Sequence, residues 1–174
     1  MVTLRHPVVE DAPALAAVHV RAWQEAYRGG LMPDAYLDAL SIDERAAMWR
    51  DGLQRPPRPR AARFVADDER DGIVGFITVG PADGEDGADL GEVYAVNVDP
   101  DAWGRGVGRT LLAAGVDALA AAGFGTAVLW VHPDNARARR FYGRSGWAFD
   151  GAERRQEVLG VEVPEARYRR TLRR

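Results

Sequence analysis

Three glycines spaced two apart, Gly104, Gly106 and Gly108, stand between an apolar run (Val93 to Val98) and a helical pattern that starts near Arg109. Glycines let the backbone curl so that successive N–H groups point into one concavity. A helix N-terminus just beyond adds free donors and the positive end of its dipole. Together they make a cradle for phosphate, with the dipole contributing roughly 0.3–1 kcal/mol when exposed. Arg105 and Arg109 bring formal charge to the same turn. Two common phosphate motifs do not fit. A G-x-G-x-x-G series begun at Gly104 meets Arg109 in its last place, and a Walker loop needs a lysine, which this chain lacks. A purely structural glycine turn is the other reading of these residues.

The elements that must position this turn follow from periodicity and breakers. Val2 to Arg5 reads as a strand. A helix is expected from about Glu10, with Asp11 and Pro13 as start signals and Gly29-Gly30 as its stop. Pro33 to Leu40 and Ser41 to Leu53 read as two further helices, the second opened by a Ser41/Glu44 capping box. Arg63 to Ala66 and Gly72 to Val79 form a hairpin turned at Asp71-Gly72. Pro81 to Asp89 is an acidic, glycine-rich loop, expected to be mobile. Leu90 to Val98 is a strand whose apolar C-terminal half is expected to be buried on both faces. A helix runs on to Ala122, and Thr126 to Val131 is another strand. Asn135 to Ser145 is a helix; Trp147 to Val158 and Val161 to Leu172 are strands. The order gives a mixed α/β layer, one domain over 1–174, with a strand–turn–helix unit at its centre.

Composition excludes several chemistries. With 174 residues, 47% hydrophobic and 28% charged, the chain can bury a core without staples. It has no cysteine, so no disulfide, thiolate zinc site or cysteine nucleophile. All 23 basic residues are arginine, so there is no lysine Schiff base. His6, His19 and His132 are too scattered for a metal site, and no metal is expected. A net charge of −3 argues against general nucleic-acid binding. The basic C-terminal run Arg167, Arg169, Arg170, Arg173, Arg174 reads as a solvated edge strand or tail. With no long apolar run, no membrane span is expected and a cytoplasmic protein is the default.

The central segment resembles the GNAT superfamily of acyl-CoA N-acetyltransferases. Gly106 and Gly108 fit its R/Q-x-x-G-x-G/A signature, with Trp103 standing in the R/Q place. Downstream, Asn135-Ala-Arg-Ala-Arg-Arg-Phe-Tyr-Gly-Arg-Ser-Gly-Trp147 is similar to the family's N-x-x-A-x-x-x-Y-x-x-x-G-F/W element, at the expected spacing. The match covers about Leu90 to Phe149. It implies a central mixed sheet splayed into a V with helices on both faces. It implies acetyl-CoA in the gap and direct transfer to an amine in a ternary complex.

The same resemblance assigns residues. Tyr142 would be the general acid at the coenzyme A sulfur, a role that competes with simple packing under the sheet. Glu92 would be the base, directly or through water, and the alternative is a solvent-facing strand residue. The Val96 amide would be the oxyanion donor if the strand bulges there. Asn97 would belong to the strand end that pairs with the pantetheine arm, and Val98 backbone groups would hold that arm. The N–H groups of Gly104, Arg105, Gly106, Val107, Gly108 and Arg109 would hold the pyrophosphate, and Trp103 would belong to the same cofactor site. Asn135 would bond the pantetheine, cap its helix, or both. Trp23, Tyr27, Tyr36, Tyr94 and Trp130 are the acceptor candidates. Aromatic faces suit a cationic amine, while core packing is the alternative for Trp23. His132, alone at a strand end, reads as a loop or capping residue. The acceptor would be a small-molecule or peptide amine, and the terminal strands are open to pairing in a homodimer. A non-catalytic acyl-CoA sensor is the competing function.

Overall fold

Residues 1–83, 89–158 and 160–172 are described by a computed structural model. Of the expected acidic loop, 84–88 lie outside the described residues, as do Arg173 and Arg174 of the basic run. The strands are β1 (Val2–Arg5), β2 (Ala62–Asp68), β3 (Gly72–Pro81), β4 (Leu90–Val98), β5 (Thr126–Val131), β6 (Ala148–Val158) and β7 (Val161–Thr171). The helices are α1 (Ala12–Tyr27), α2 (Asp34–Asp38), α3 (Ile42–Gln54), α4 (Val107–Ala121) and α5 (Ala136–Arg144). The sheet order is β1-β2-β3-β4-β5-β7-β6, and only β4 and β5 run parallel.

Local signals set several boundaries. Ser41 Oγ accepts from the Glu44 N–H at 3.2 Å and opens α3. Helix α1 starts at Ala12, two residues later than expected, after a single 3-10 turn at Val9–Asp11. The Asp11 carboxylate does not cap α1; it accepts from Arg5 and from the Val8 N–H.

Two apolar layers sandwich the sheet. On one face Leu111, Leu112, Val116 and Leu119 of α4 pack on Ile77, Val79 and Val93, and α5 adds Phe141 and Tyr142. On the other, Leu15 and Val18 of α1 and Trp49 and Leu53 of α3 pack on Val65 and Phe76. A third cluster joins Met32, Leu37, Trp23, Tyr27 and Tyr36 to Val163 on β7.

The V-shaped gap is present. Strands β4 and β5 pair only at Leu90↔Thr126, Gly91↔Ala127 and Glu92↔Val128. Beyond Glu92 they part, because β4 stays on β3 as far as Val98 while β5 stays on β7 as far as Val131. The C-terminal half of β4 is therefore not buried on both faces. Val93 is buried, but Tyr94 is exposed and Ala95 to Val98 are half-buried. The apolar run reflects one packed face and a vacated neighbour position.

The basic C-terminal strand is also placed otherwise than expected. Strand β7 is interior, between β5 and β6. Its arginines are held locally: Arg167 and Arg169 donate through Nε to Asp150 at 2.8 and 3.1 Å, and Arg170 donates to the Ser145 carbonyl at 2.9 Å. Both edges of β7 are used within the chain, and β6 is the edge strand at that end of the sheet.

Candidate active site

The site grows from the point where β4 loses β5. The Asp99 N–H donates to the Val74 carbonyl at 2.8 Å. In an antiparallel ladder, bonding direction alternates. Asn97 and Ala95 therefore also bond β3, and Val96 and Val98 turn their backbone groups into the gap. A bulge sits just upstream: Thr78 pairs with Ala95 and Val79 with Val93, leaving Tyr94 as the extra residue. The expected irregularity is thus at Tyr94, two residues before Val96. It re-aims the strand just ahead of the gap.

At the mouth of the gap the chain turns into α4. Gly104 and Gly106 adopt φ of +77° and +84°, a left-handed region that side chains rarely adopt, and a Cβ at either would meet open space. Gly106 is the N-cap of α4, and no side chain among the described residues caps that helix. The N–H groups of Val107, Gly108 and Arg109 therefore have no intrahelical acceptor. An open, uncapped N-terminus beside gap-facing strand amides fits the pantetheine and pyrophosphate of coenzyme A. Arg105 does not contribute as expected. Its guanidinium is turned away to Asp71 and Asp68, at 2.9 and 3.2 Å. Arg109 stays exposed on the first turn of α4.

Trp103, in the R/Q place of the motif, has a definite role. Its Nε1–H donates to the Val98 carbonyl at 2.8 Å. That fastens the turn to the strand and takes the Val98 oxygen, leaving the Val98 N–H as the group open to a ligand. Arg137 of α5 stacks across the same ring, 3.3 Å from its centroid. Sequence reasoning missed Arg137, whose signal is only its place between Asn135 and Ala138 of the second motif.

A slot of about 270 Å³ follows the gap and brings together Val96, Asn97, Val98, Trp103, Asn135, Arg137 and Tyr142, with Tyr27 and Trp130 on its walls. Asn135 caps α5, accepting from the Ala138 N–H at 3.0 Å through Oδ1. Its Nδ2 has no partner among the described residues and stays available to the slot. The Tyr142 hydroxyl likewise has no hydrogen-bond partner among the described residues. Burial, with the nearby Tyr27 phenol, pushes its pKa well above the ordinary phenol value, so it stays protonated.

Glu92 is the last β4 residue paired with β5, so it marks the apex of the V. Val93 packs toward α4, and Glu92 alternates to the opposite face. Its pKa is raised, chiefly by burial, and by Asp83 and Glu165 nearby, against the opposing pull of Arg154. It borders neither the slot nor the larger cavity described next.

That second cavity, of about 700 Å³, lies on the α1/α3 face. Its walls include Tyr94 and Ala95 of β4, Phe76 and Thr78 of β3, and Arg45 and Trp49 of α3. The five acceptor candidates are thus divided. Tyr94 is on this cavity, its hydroxyl donating to the Pro81 carbonyl. Tyr27 and Trp130 are on the slot, with Arg154 already stacked 3.9 Å from the Trp130 centroid. Trp23 and Tyr36 border neither and pack in the α1–α2 cluster. His132 has the loop role expected of it: its Nδ1 accepts from the Asp134 N–H at 3.1 Å. No cluster of metal-ligating side chains occurs among the described residues, and no described helix is long and apolar enough to cross a membrane.

Known proteins resemble this chain in sequence and in fold. The Acetyltransferase (GNAT) family matches residues 19–147. An uncharacterised N-acetyltransferase of Bacillus subtilis (strain 168), YuaI, is 32% identical over 95% of this chain and 90% of its own length. A mycothiol acetyltransferase of Rhodococcus erythropolis is 44% identical over 84% of this chain, which spans only 53% of that longer protein. In fold, the PaiA N-acetyltransferase of Thermoplasma acidophilum, solved with coenzyme A, superposes with a TM-score of 0.71 at 18% identity, covering 98% of this chain and 99% of its own.

Proposed function

Because the chain belongs to the GNAT acetyltransferase family, we propose that it moves the acetyl group of acetyl-CoA to a primary amine of a small molecule or peptide, by direct attack in a ternary complex. The observation that carries this reading is the parting of β4 and β5 at Glu92, with free backbone donors and the Tyr142 hydroxyl along the gap. Acetyl-CoA supplies an electrophilic thioester carbonyl and a thiolate leaving group.

Four tasks then fall to the chain's own residues. The N–H groups of Val107 to Arg109 hold the phosphates, assisted by the dipole of α4. The Val96 N–H points into the gap where the carbonyl oxygen gains charge, and a preorganised donor there is worth roughly 3 kcal/mol. Glu92 takes a proton from the acceptor ammonium, directly or through water, so that the nitrogen lone pair is free to form the C–N bond. Tyr142 gives its phenolic proton to the sulfur as the C–S bond breaks. With no cysteine in the chain, no acyl-enzyme thioester is required.

Thiol release from acetyl-CoA, followed with a thiol reagent over a panel of primary amines, tests this directly, because the chain adds no thiol of its own. Amine-dependent release is expected. Acetyl-CoA binding with no release from any amine would instead fit a sensor.

Glu92→Gln tests the base. Burial raises this carboxyl, so its base form is lost on acidification earlier than for an ordinary carboxylate. The wild-type kcat/KM should fall along that limb as pH drops. In Glu92→Gln the limb disappears, and the rate climbs with pH until the free amine predominates. A profile identical to wild type would remove Glu92 from the mechanism.

A further inference from the structure

The 700 Å³ cavity holds a charge that the fold leaves unmatched. Four arginines line it. Arg55 pairs with Asp51 at 2.5 Å, Arg58 with Asp83 at 3.5 Å, and Arg63 donates to the Gly52 carbonyl at 2.8 Å. Arg45 is different. It is only 9% exposed, yet among the described residues it meets no carboxylate and no oxygen. Its partners are the Met48 sulfur at 3.8 Å and the Trp23 ring at 5.9 Å, the latter at the limit of a useful cation–π contact. A guanidinium so deeply buried is normally paired, and burying it unpaired is costly. The polar groups around it are unsatisfied too. His19 Nδ1 and the Tyr36 hydroxyl are buried without hydrogen-bond partners among the described residues. Burial and the Arg45 charge lower the His19 pKa to about 4, so the ring is neutral.

We propose that this cavity is the acceptor chamber and that Arg45 binds a carboxylate carried by the acceptor, which is therefore an amine with an apolar body and a carboxylate end. This deepens the acetyltransferase reading and rests on it. The chamber and the reaction slot flank the same two elements: Ala95 of β4 and His19 of α1 line the chamber, and Val96 and Ala22 line the slot. Met48, Trp49, Leu53 and Phe76 on the walls suit a hydrocarbon skeleton. One unmatched guanidinium suits one monoanion, and its fork matches the two oxygens of a carboxylate. A phosphate dianion would need a second free cation. The other three arginines on the walls are engaged.

Two arms test the inference separately from the enzyme reading. In the first, 4-phenylbutyrate, 4-phenylbutyramide and phenyl phosphate are titrated by calorimetry and tryptophan fluorescence, the latter reporting through Trp49. The acid should bind roughly 10–10²-fold more tightly than the amide, and Arg45→Gln should bring the two together. Arg45→Lys should keep part of the preference. Equal binding of acid and amide by wild type, tighter binding of the phosphate, or a preference that survives in Arg45→Gln overturns the proposal. The melting temperature without ligand should not fall in Arg45→Gln, since an unpaired buried charge is removed; a large fall would mark Arg45 as structural and also overturn it.

In the second arm, thiol release is measured with phenylalanine against phenylalaninamide, and 6-aminohexanoate against its amide. The acids should be preferred, with the Arg45→Gln loss carried by KM. Carboxylate binding that depends on Arg45, without turnover of any amine, supports the anion site and defeats the transferase reading. Turnover that is indifferent to the carboxylate defeats the acceptor assignment and leaves the transferase standing.

Discussion

Replacing Tyr142 by phenylalanine lowers kcat by roughly 10²–10⁴-fold while acetyl-CoA still binds within about threefold of its original affinity. The split follows from where the hydroxyl sits. On the proposed reading, cofactor grip comes from backbone donors on β4 and α4, none of which involves Tyr142. The Tyr142 ring packs against the core beside Phe141 and would be kept. Only the proton is lost. That proton is present at working pH, because burial holds the phenol protonated far into the alkaline range, although the same shift makes it a weaker acid. The hydroxyl has no hydrogen-bond partner among the described residues, so its removal should leave the melting temperature nearly unaltered. Single-turnover acetyl transfer and calorimetry on the same variant separate the two effects. Full activity in Tyr142→Phe would place the sulfur's proton donor elsewhere, with the Tyr27 phenol on the same slot wall as the next group to test.

What the sequence shows plainly here is what local chemistry decides. Strands β4 and β5 fall where the apolar runs fall, at 90–98 and 126–131. Ser41 and Asn135 cap helices, as their types favour. The glycine turn is legible because a left-handed φ at Gly104 and Gly106 needs glycine. What the sequence hides depends on partners far along the chain. Nothing within Val93 to Val98 says that β5 will leave β4 for β7, so a half-open strand reads as a buried one. Nothing in the run Arg167 to Arg170 says that Asp150 will receive two of these arginines and make an interior strand tolerable. Arg105 and Arg45 invert the same lesson. The arginine inside the phosphate motif is spent on Asp68 and Asp71. The buried arginine of α3, Arg45, meets no carboxylate among the described residues. Charge in a sequence is only a formal count, and the fold decides which charges remain available to a ligand.

That distinction bears on the proposed cradle, where Arg105 is spent on Asp68 and Asp71 and the positive potential would have to come from the backbone. Gly106→Glu should therefore abolish acetyl-CoA binding. A carboxylate there lies beside the phosphates. One unit of like charge at about 5 Å costs roughly 3 kcal/mol at an effective dielectric of about 20, or about 10²-fold in affinity for each unit of phosphate charge. The left-handed φ of +84° adds strain for any side chain, so a control must carry the strain without the charge. Gly106→Asn does so, since asparagine tolerates this region better than most residues, and the space around a Cβ is open. The expected order of affinity, by calorimetry, is glycine, then asparagine with a modest loss, then glutamate with none measurable. High salt should recover little for glutamate, because the pair is close and partly shielded from solvent. If glutamate and asparagine bind alike, the turn is structural and the phosphates are held elsewhere. If both bind as glycine does, the N-terminus of α4 is not the cradle.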